Sequence, residues 1–421
     1  MTAREAAGLI TFPAFATGRA TTSIRSELKP QLTGAQINEG TLLGYVRWQK
    51  KNLQRIYLEL DSPNSWTAIF GDQDTAIFET GKTILRDLQR KKNPIIILDL
   101  EGTGGDLTTF DKRLGLGDKD TPLKLNVLEM DFSEDHSENV ETITRAFTES
   151  LGLSTVQSQT LWEACRSIFR RKRTEERNDA QRAISSIIAE IQRIDDPLRF
   201  SSESSTLLKK LVSLAEGKAG SILNQRASIQ IDELMMGTTL IGLRELKDAG
   251  LKNLLTSLIL AYFARAIKIR VGIEEPQHPF LVLKEPRIIL KEGAEDQTMI
   301  KQILLELKRN GVGLLLIQTS PISAPQYIVD RCQTRICHRL TNRSDLDLAQ
   351  KTFNLDNTRK EILKGLLDKE VLVKIAKQIQ PFLVEIVDST QPQKGRKEEE
   401  APLEEDVLEI MSEVIEDGLS G

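Results

Sequence analysis

Phosphate chemistry asks for a short set of groups: bare backbone amides to cradle the oxyanions, a lysine to neutralise them and a hydroxyl to hold Mg²⁺. The pattern G-x-x-x-x-G-K-[ST], placed between a strand and a helix, supplies all three. Two overlapping windows of this chain fit it in different ways. In the first, Ala76-Ile-Phe-Glu-Thr-Gly81-Lys82-Thr83 forms the loop, with Ala76 in the first glycine's place, and the site would bind ATP with Mg²⁺. In the second, the loop opens at Gly71, so that Ala76 replaces the second glycine, Ile77 the lysine and Phe78 the hydroxyl. A site of that kind keeps neither the cation nor the metal ligand.

The elements that position these windows follow from composition and period. Trp66 to Phe70 is a short apolar run that stops at Gly71, and Pro94 to Leu100 is a β-branched run leading into an Asp99-x-x-Gly102 turn. Both have the length and composition of buried parallel strands. Between them Ile77, Phe78, Ile84, Leu85 and Leu88 recur on one helical face, opposite Arg86, Asp87, Arg90 and Lys91, which makes a βαβ unit. Spacing favours the second window, because a phosphate loop follows its strand directly. The first inserts several residues and leaves a helix of barely three turns before Asn93-Pro94. Asp72 and Asp74 would also set negative charge against the phosphates. Both windows stay open on the sequence alone.

Bulk properties bound the rest. The chain has 421 residues, 39% of them hydrophobic, enough for a sizeable core. A net charge of −4 gives no general attraction to nucleic acid, so any DNA contact rests on local patches. Three scattered cysteines, Cys165, Cys332 and Cys337, point to a reduced compartment, and three histidines make a zinc site a poor expectation. No run has the length of a membrane span, and the start lacks a signal-peptide pattern, so the expected location is cytoplasmic.

Five regions are expected. Residues 1–62 read as a small β-rich cap, with strands at Thr41 to Trp48 and Arg55 to Leu60. Residues 63–135 are the first part of the core, with a loop at Lys112 to Thr121 and a short strand at Leu123 to Leu128. Residues 136–225 form an all-α insertion with helices at Val140 to Leu151, Val156 to Phe169, Ala183 to Ile194 and Thr206 to Glu216. Its Arg170-Arg-Lys-Arg173 run reads as a solvated face or a phosphate contact. Residues 226–390 return to strand and helix in alternation, hence a parallel sheet. The segment 391–421 is a flexible acidic tail in which Leu403, Val407, Met411 and Val414 keep helical spacing. Residues 398–417 are therefore a candidate docking peptide for a partner protein.

Ordered marks run through nearly the whole chain from about Gly44 to Val387. They are Gly44-Tyr-Val, Ile69-Phe-Gly71, Asp99-x-x-Gly102, Asn126-Val-Leu128, Leu281-Val-Leu-Lys284-Glu285, Lys308-x-x-Gly311-Val-Gly-Leu, Gln318-Thr-Ser-Pro321 and Arg339-Leu-Thr-Asn342-Arg343-Ser-Asp345. In this order they resemble the HerA/FtsK superfamily of P-loop ATPases, ring-forming motors on double-stranded DNA that include the ATPases of conjugation and type IV secretion. The resemblance implies an α/β, RecA-like core, a homo- or hetero-oligomeric ring, double-stranded DNA as partner, and ATP with Mg²⁺ as cofactor where the site is active. It makes Gly71, Ala76, Gly81, Lys82, Thr83 and Asp99 the candidate nucleotide-binding positions. The family's apolar Walker B strand ends Asp-Glu, the Asp orienting Mg²⁺ waters and the Glu activating the attacking water. Here it ends Lys284-Glu285, and a cation in that place repels Mg²⁺, takes its position or pairs with Asp99. Glu285 falls on the catalytic Glu, Gln318 on the residue that senses the γ-phosphate, and Arg339 and Arg343 on arginines that reach a neighbouring subunit's site. Two functions follow: a subunit with a decayed nucleotide site, assembling or regulating a DNA-processing or defence machine, or an active DNA translocase using Ala76 to Thr83. Binding of nucleotide without hydrolysis is compatible with the first.

Overall fold

A computed structural model describes residues 40–387, except 49–50, 61–64, 103–106, 116–121, 131–132, 134, 175–181, 195–201, 271–277, 289–297 and 377–379. The segment 398–417 and residues 1–39 of the expected cap lie outside the described residues. By contacts the chain divides into a unit ending at Val387 and one beginning at Asp388. The helical insertion belongs to the first.

Strands β1 (Thr41–Trp48), β2 (Lys51–Leu58) and β3 (Trp66–Phe70) precede helix α1 (Asp74–Arg90), which is followed by β4 (Ile95–Asp99) and β5 (Lys112–Gly115). The insertion contributes α2 (His136–Leu151), α3 (Thr155–Thr174), α4 (Ala183–Ile194), α5 (Ser202–Ala215), α6 (Gly217–Leu223) and α7 (Ile231–Leu234). Then come β6 (Thr238–Gly242), α8 (Ala249–Arg270), β7 (Phe280–Lys284), α9 (Met299–Arg309), β8 (Gly313–Gln318), α10 (Gln326–Val329) and β9 (Thr334–Cys337). The unit closes with α11 (Arg343–Phe353), α12 (Asn357–Lys364), β10 (Glu370–Ile375) and β11 (Phe382–Ile386).

Among the described residues the strands form one sheet, ordered β2-β1-β11-β10-β9-β3-β8-β7-β4-β6-β5. From β9 to β5 every pairing is parallel, and from β9 to β2 every pairing is antiparallel. The central parallel strands β3, β4, β7 and β8 are mostly apolar because both faces are covered. Trp66, Ala68 and Phe70 of β3 join the core on the side of the helical insertion, and Ile69 points to the opposite side with Ile77, Ile84, Leu85 and Leu88 of α1. Period two along β4 and β8 repeats this division, with Ile96, Leu98, Leu314 and Leu316 on one side and Ile95, Ile97, Leu315 and Ile317 on the other.

Three expectations need correction. The N-terminal strands are no separate cap, since β1 pairs with β11 and continues the core sheet. Gly44 permits this, because a Cβ there would lie 2.1 Å from the Glu385 carbonyl oxygen. Lys112 to Gly115, expected as loop, is the short edge strand β5, whose polar Lys112 and Arg113 hid it. Leu123 to Leu128, expected as strand, makes only a bridge at Pro122 and then turns. Asn126 causes the turn: its side-chain oxygen accepts from the Leu128 amide at 3.0 Å and its nitrogen donates to the Arg226 carbonyl at 2.9 Å.

Candidate functional site

The C-terminal ends of β3, β8, β7 and β4 lie side by side, with Phe70 in register with Gln318, Ile317 with Lys284, and Lys284 with Asp99. Of the sequence-predicted site residues, Gly71, Asp99, Glu285 and Gln318 lie at these strand ends, because parallel strands end at one edge of the sheet, where loops and helix N-termini converge.

At the β3–α1 corner only Gly71, Asp72 and Gln73 separate strand from helix. Asp74 opens α1 and complements the positive end of its dipole. The window Ala76 to Thr83 therefore forms no loop: all of it is helical. Lys82 donates to Glu79 at 2.8 Å one turn back, and the Thr83 hydroxyl donates to the Glu79 carbonyl at 3.0 Å. Gly81 serves packing, since a Cβ there would approach Ile317 Cδ1 to 3.0 Å where α1 crosses β8. In the other window Ile77 is fully buried in the core and Phe78 is half-buried beside it. Gly71 is required by a tight corner, where a Cβ would stand 2.5 Å from His338 Cβ.

The corner is stitched to the segment after β9. The Asp72 amide donates to the Arg339 carbonyl at 3.0 Å, and the Asp72 carboxylate accepts from both the amide and the hydroxyl of Thr341. In the amide orientation that satisfies its neighbours, Gln73 accepts from Arg339 Nη2 at 2.5 Å and donates to Asp368 at 3.3 Å. Arg339 thus serves its own chain, while Arg343 opens α11 as an exposed residue.

Sequence reasoning missed His338. It is buried, its amide donates to the Phe70 carbonyl at 2.8 Å, and its Nε2 lies 2.9 Å from the Thr80 hydroxyl. Burial pushes its pKa down to about 4, so the ring is neutral at pH 7. The available signal was a polar residue directly after a buried strand, between Cys337 and Leu340.

At the ends of β7 and β8 the polar groups persist. Lys284 is buried, with Nζ 4.5 Å from the centroid of the Phe78 ring. Glu285 is also buried and takes the left-handed backbone region, φ 47°, which costs a non-glycine residue about 1–2 kcal/mol. Its carboxylate accepts from the Thr319 amide at 2.6 Å and from the Gln318 side chain at 3.0 Å. Burial holds the Glu285 carboxyl above the usual range, the bonds from Thr319 and the Lys284 charge oppose the shift, and Glu101 adds to it. Gln318 is fully buried, and its side-chain oxygen has no partner among the described residues. Asp99 bends its turn, accepting from the Gly102 amide at 2.7 Å. Beyond β8, Asp345 accepts from the Ser320 hydroxyl at 2.5 Å and the Ile322 amide at 3.1 Å, which fixes α11 to the exit of β8. Among the described residues no group of three or more His, Cys, Asp or Glu side chains is placed to hold a metal ion. No described helix is long and apolar enough to cross a membrane.

Solved structures share this architecture. VirB4 of Thermoanaerobacter pseudethanolicus is similar over 84% of this chain and 98% of its own, with a TM-score of 0.66 at 14% identity. The plasmid coupling protein TrwB, solved with ADP and Mg²⁺, is similar over 86% of this chain and 98% of its own, with a TM-score of 0.53 at 13% identity. TrwB solved with the non-hydrolysable GTP analogue GDPNP gives a TM-score of 0.54 at 12% identity over the same 86%. No protein-family model and no curated protein sequence matches the chain. The RecA-like P-loop NTPase fold implied by the HerA/FtsK resemblance is the fold observed.

Proposed function

We propose that the chain is a HerA/FtsK-like subunit of a DNA-processing or defence assembly whose own nucleotide site has decayed, and that it works in assembly or regulation. One observation carries this reading: α1 begins at Asp74, leaving Gly71 to Gln73 as the whole corner where a phosphate loop belongs. The residues present do not fit a magnesium nucleotide. Ile77 and Phe78 offer a phosphate nothing, Asp72 faces it with a negative charge, and buried Lys284 stands at the strand end where Mg²⁺ waters would be oriented. On this reading Glu285 and Gln318 remain as a hydrogen-bonded pair with a structural role.

TrwB was solved with ADP and Mg²⁺. The same fold in this chain makes ATP the nucleotide to test and a ring, alone or mixed with an active relative, the assembly to look for. Double-stranded DNA is the proposed polymer, the cytoplasm the proposed compartment, and 398–417 the proposed docking segment. In a mixed ring Arg343, exposed at the start of α11, is the residue free to reach a neighbour, because Arg339 is engaged with Gln73. The experiment is nucleotide binding and Mg²⁺-dependent ATP hydrolysis by the purified chain and by Lys82→Ala. The expected result is no binding and no turnover in either. Turnover that disappears in Lys82→Ala would overturn this reading and favour the active translocase.

A further inference from the structure

The two charges that a nucleotide site takes from outside, an anion at the loop and a cation at the strand end, each have a counterpart supplied here by the chain. At the corner the Asp72 carboxylate sits on the Thr341 amide and hydroxyl, the donor pair that an oxyanion would use. Its own amide closes the loop against the Arg339 carbonyl, and Gln73 ties the same loop to Arg339 and Asp368. At the strand end the buried Lys284 ammonium lies over the Phe78 ring, in register with Asp99 and within electrostatic reach of Glu285, which also feels Glu101. Phe78 occupies the position that carries the metal-binding hydroxyl in the phosphate-loop pattern, so the contact between Lys284 and Phe78 joins the two residues that replace the Mg²⁺ ligands.

We propose that the site is self-liganded: Asp72 and Lys284 act as resident anion and cation without nucleotide, Asp72 holding the corner to the segment 338–345 through Thr341 and Lys284 holding the end of β7 against Phe78 of α1. This deepens the reading of the site as decayed and rests on it. A relative that needs ligand to order these loops would change shape through its cycle. This chain presents one fixed surface at α11, with Asn342 capping the helix through the Ser344 amide and Asp345 fixing it to the exit of β8.

Chemical rescue tests both charges. Lys284→Ala removes the ammonium and leaves room for a small cation over Phe78. The full chain carrying it is expected to melt several degrees lower at pH 7. Propylammonium should restore about half of the loss, and propanol, of the same shape without charge, should not. If Lys284→Ala does not fold alone, its refolding yield with propylammonium against propanol reads the same claim. For the anion, Asp72→Ala should make amide exchange across 338–346 roughly fivefold faster, through loss of the two exposed bonds from Thr341, and sulfate should slow it again while leaving the wild type unchanged. Equal rescue by propanol, no rescue by either amine or sulfate, or unaltered exchange in Asp72→Ala overturns the inference. Mg²⁺-dependent ATP hydrolysis by the wild type would overturn the decayed-site reading itself, whereas nucleotide binding without hydrolysis, or failed rescue, would remove only self-liganding.

Discussion

The two ends of the candidate site differ in kind. At the β3–α1 corner Ile77 and Phe78 stand where the pattern counted from Gly71 has a lysine and a hydroxyl, and Ile77 is part of the core. At the β7–β8 edge the polar residues remain, with Glu285, Gln318 and Thr319 in one hydrogen-bonded cluster. The difference follows from what each place demands of a fold. On the reading of the site as decayed, a loop of bare amides has no structural use without its ligand, and a helix in its place adds hydrogen bonds and burial. Buried strand ends must still satisfy their own polar groups, and a Glu that accepts a backbone amide stays useful without any reaction.

The comparison is broken most severely by restoring the missing lysine. Ile77→Lys buries an ammonium in the apolar layer beneath the sheet and is expected to cost about 4 kcal/mol or more, read by urea denaturation. Small loss together with new ATP binding would mean that the corner opens readily. His338 gives the next effect. Its folded pKa of about 4 lies below the ordinary 6.5, so the unfolded chain takes the proton first as pH falls. Its contribution is complete above pH 6.5 and is lost toward pH 4, by up to about 3 kcal/mol on the scale of 1.36 kcal/mol per unit. The slope of unfolding free energy across that window should flatten in His338→Gln, and an unchanged slope assigns the titration elsewhere.

Glu285→Gln sharpens the other half. The burial that raises the Glu285 pKa opposes ionisation: the cost grows as pH rises through the folded value and is relieved below it. A neutral amide keeps the bond from Thr319 and can pair with the Gln318 oxygen, which has no partner among the described residues. Stability at pH 7 should stay within about 1 kcal/mol of the wild type or rise. A loss well beyond that would show that the charge itself holds the cluster. The smallest effect is expected from Lys82→Ala, which removes a pair with Glu79 whose side chains are 28% and 49% exposed. A change of at most about 0.5 kcal/mol and no change in nucleotide binding are the expected outcomes.

Much of this was legible in the sequence. The βαβ unit was, because its strands are short continuous apolar runs and helical spacing lies between them, and the register of Ile77 and Phe78 with Ile84, Leu85 and Leu88 already favoured an early helix start. Lys112 to Gly115 was not, because a short edge strand with Lys112 and Arg113 carries no apolar alternation. Leu123 to Leu128 misled through its apolar residues, which are buried although Asn126 turns the chain. The cis engagement of Arg339 was out of reach as well, since it depends on Gln73 and Asp368, far apart in sequence and joined only by the fold.

The seam between β1 and β11 has a mechanical consequence. Gly44 faces Ile386 in an antiparallel ladder, and the Val387 amide donates to the Leu43 carbonyl at 3.2 Å, so residues 40 and 387 leave the ladder at the same end. Tension applied between those two points would load the bonds one after another, as in opening a zipper, and not all together as in shear. A pull transmitted through both flanks of the unit would therefore peel β1 and β2 from the sheet at low force, before strain reached the parallel strands that hold the site.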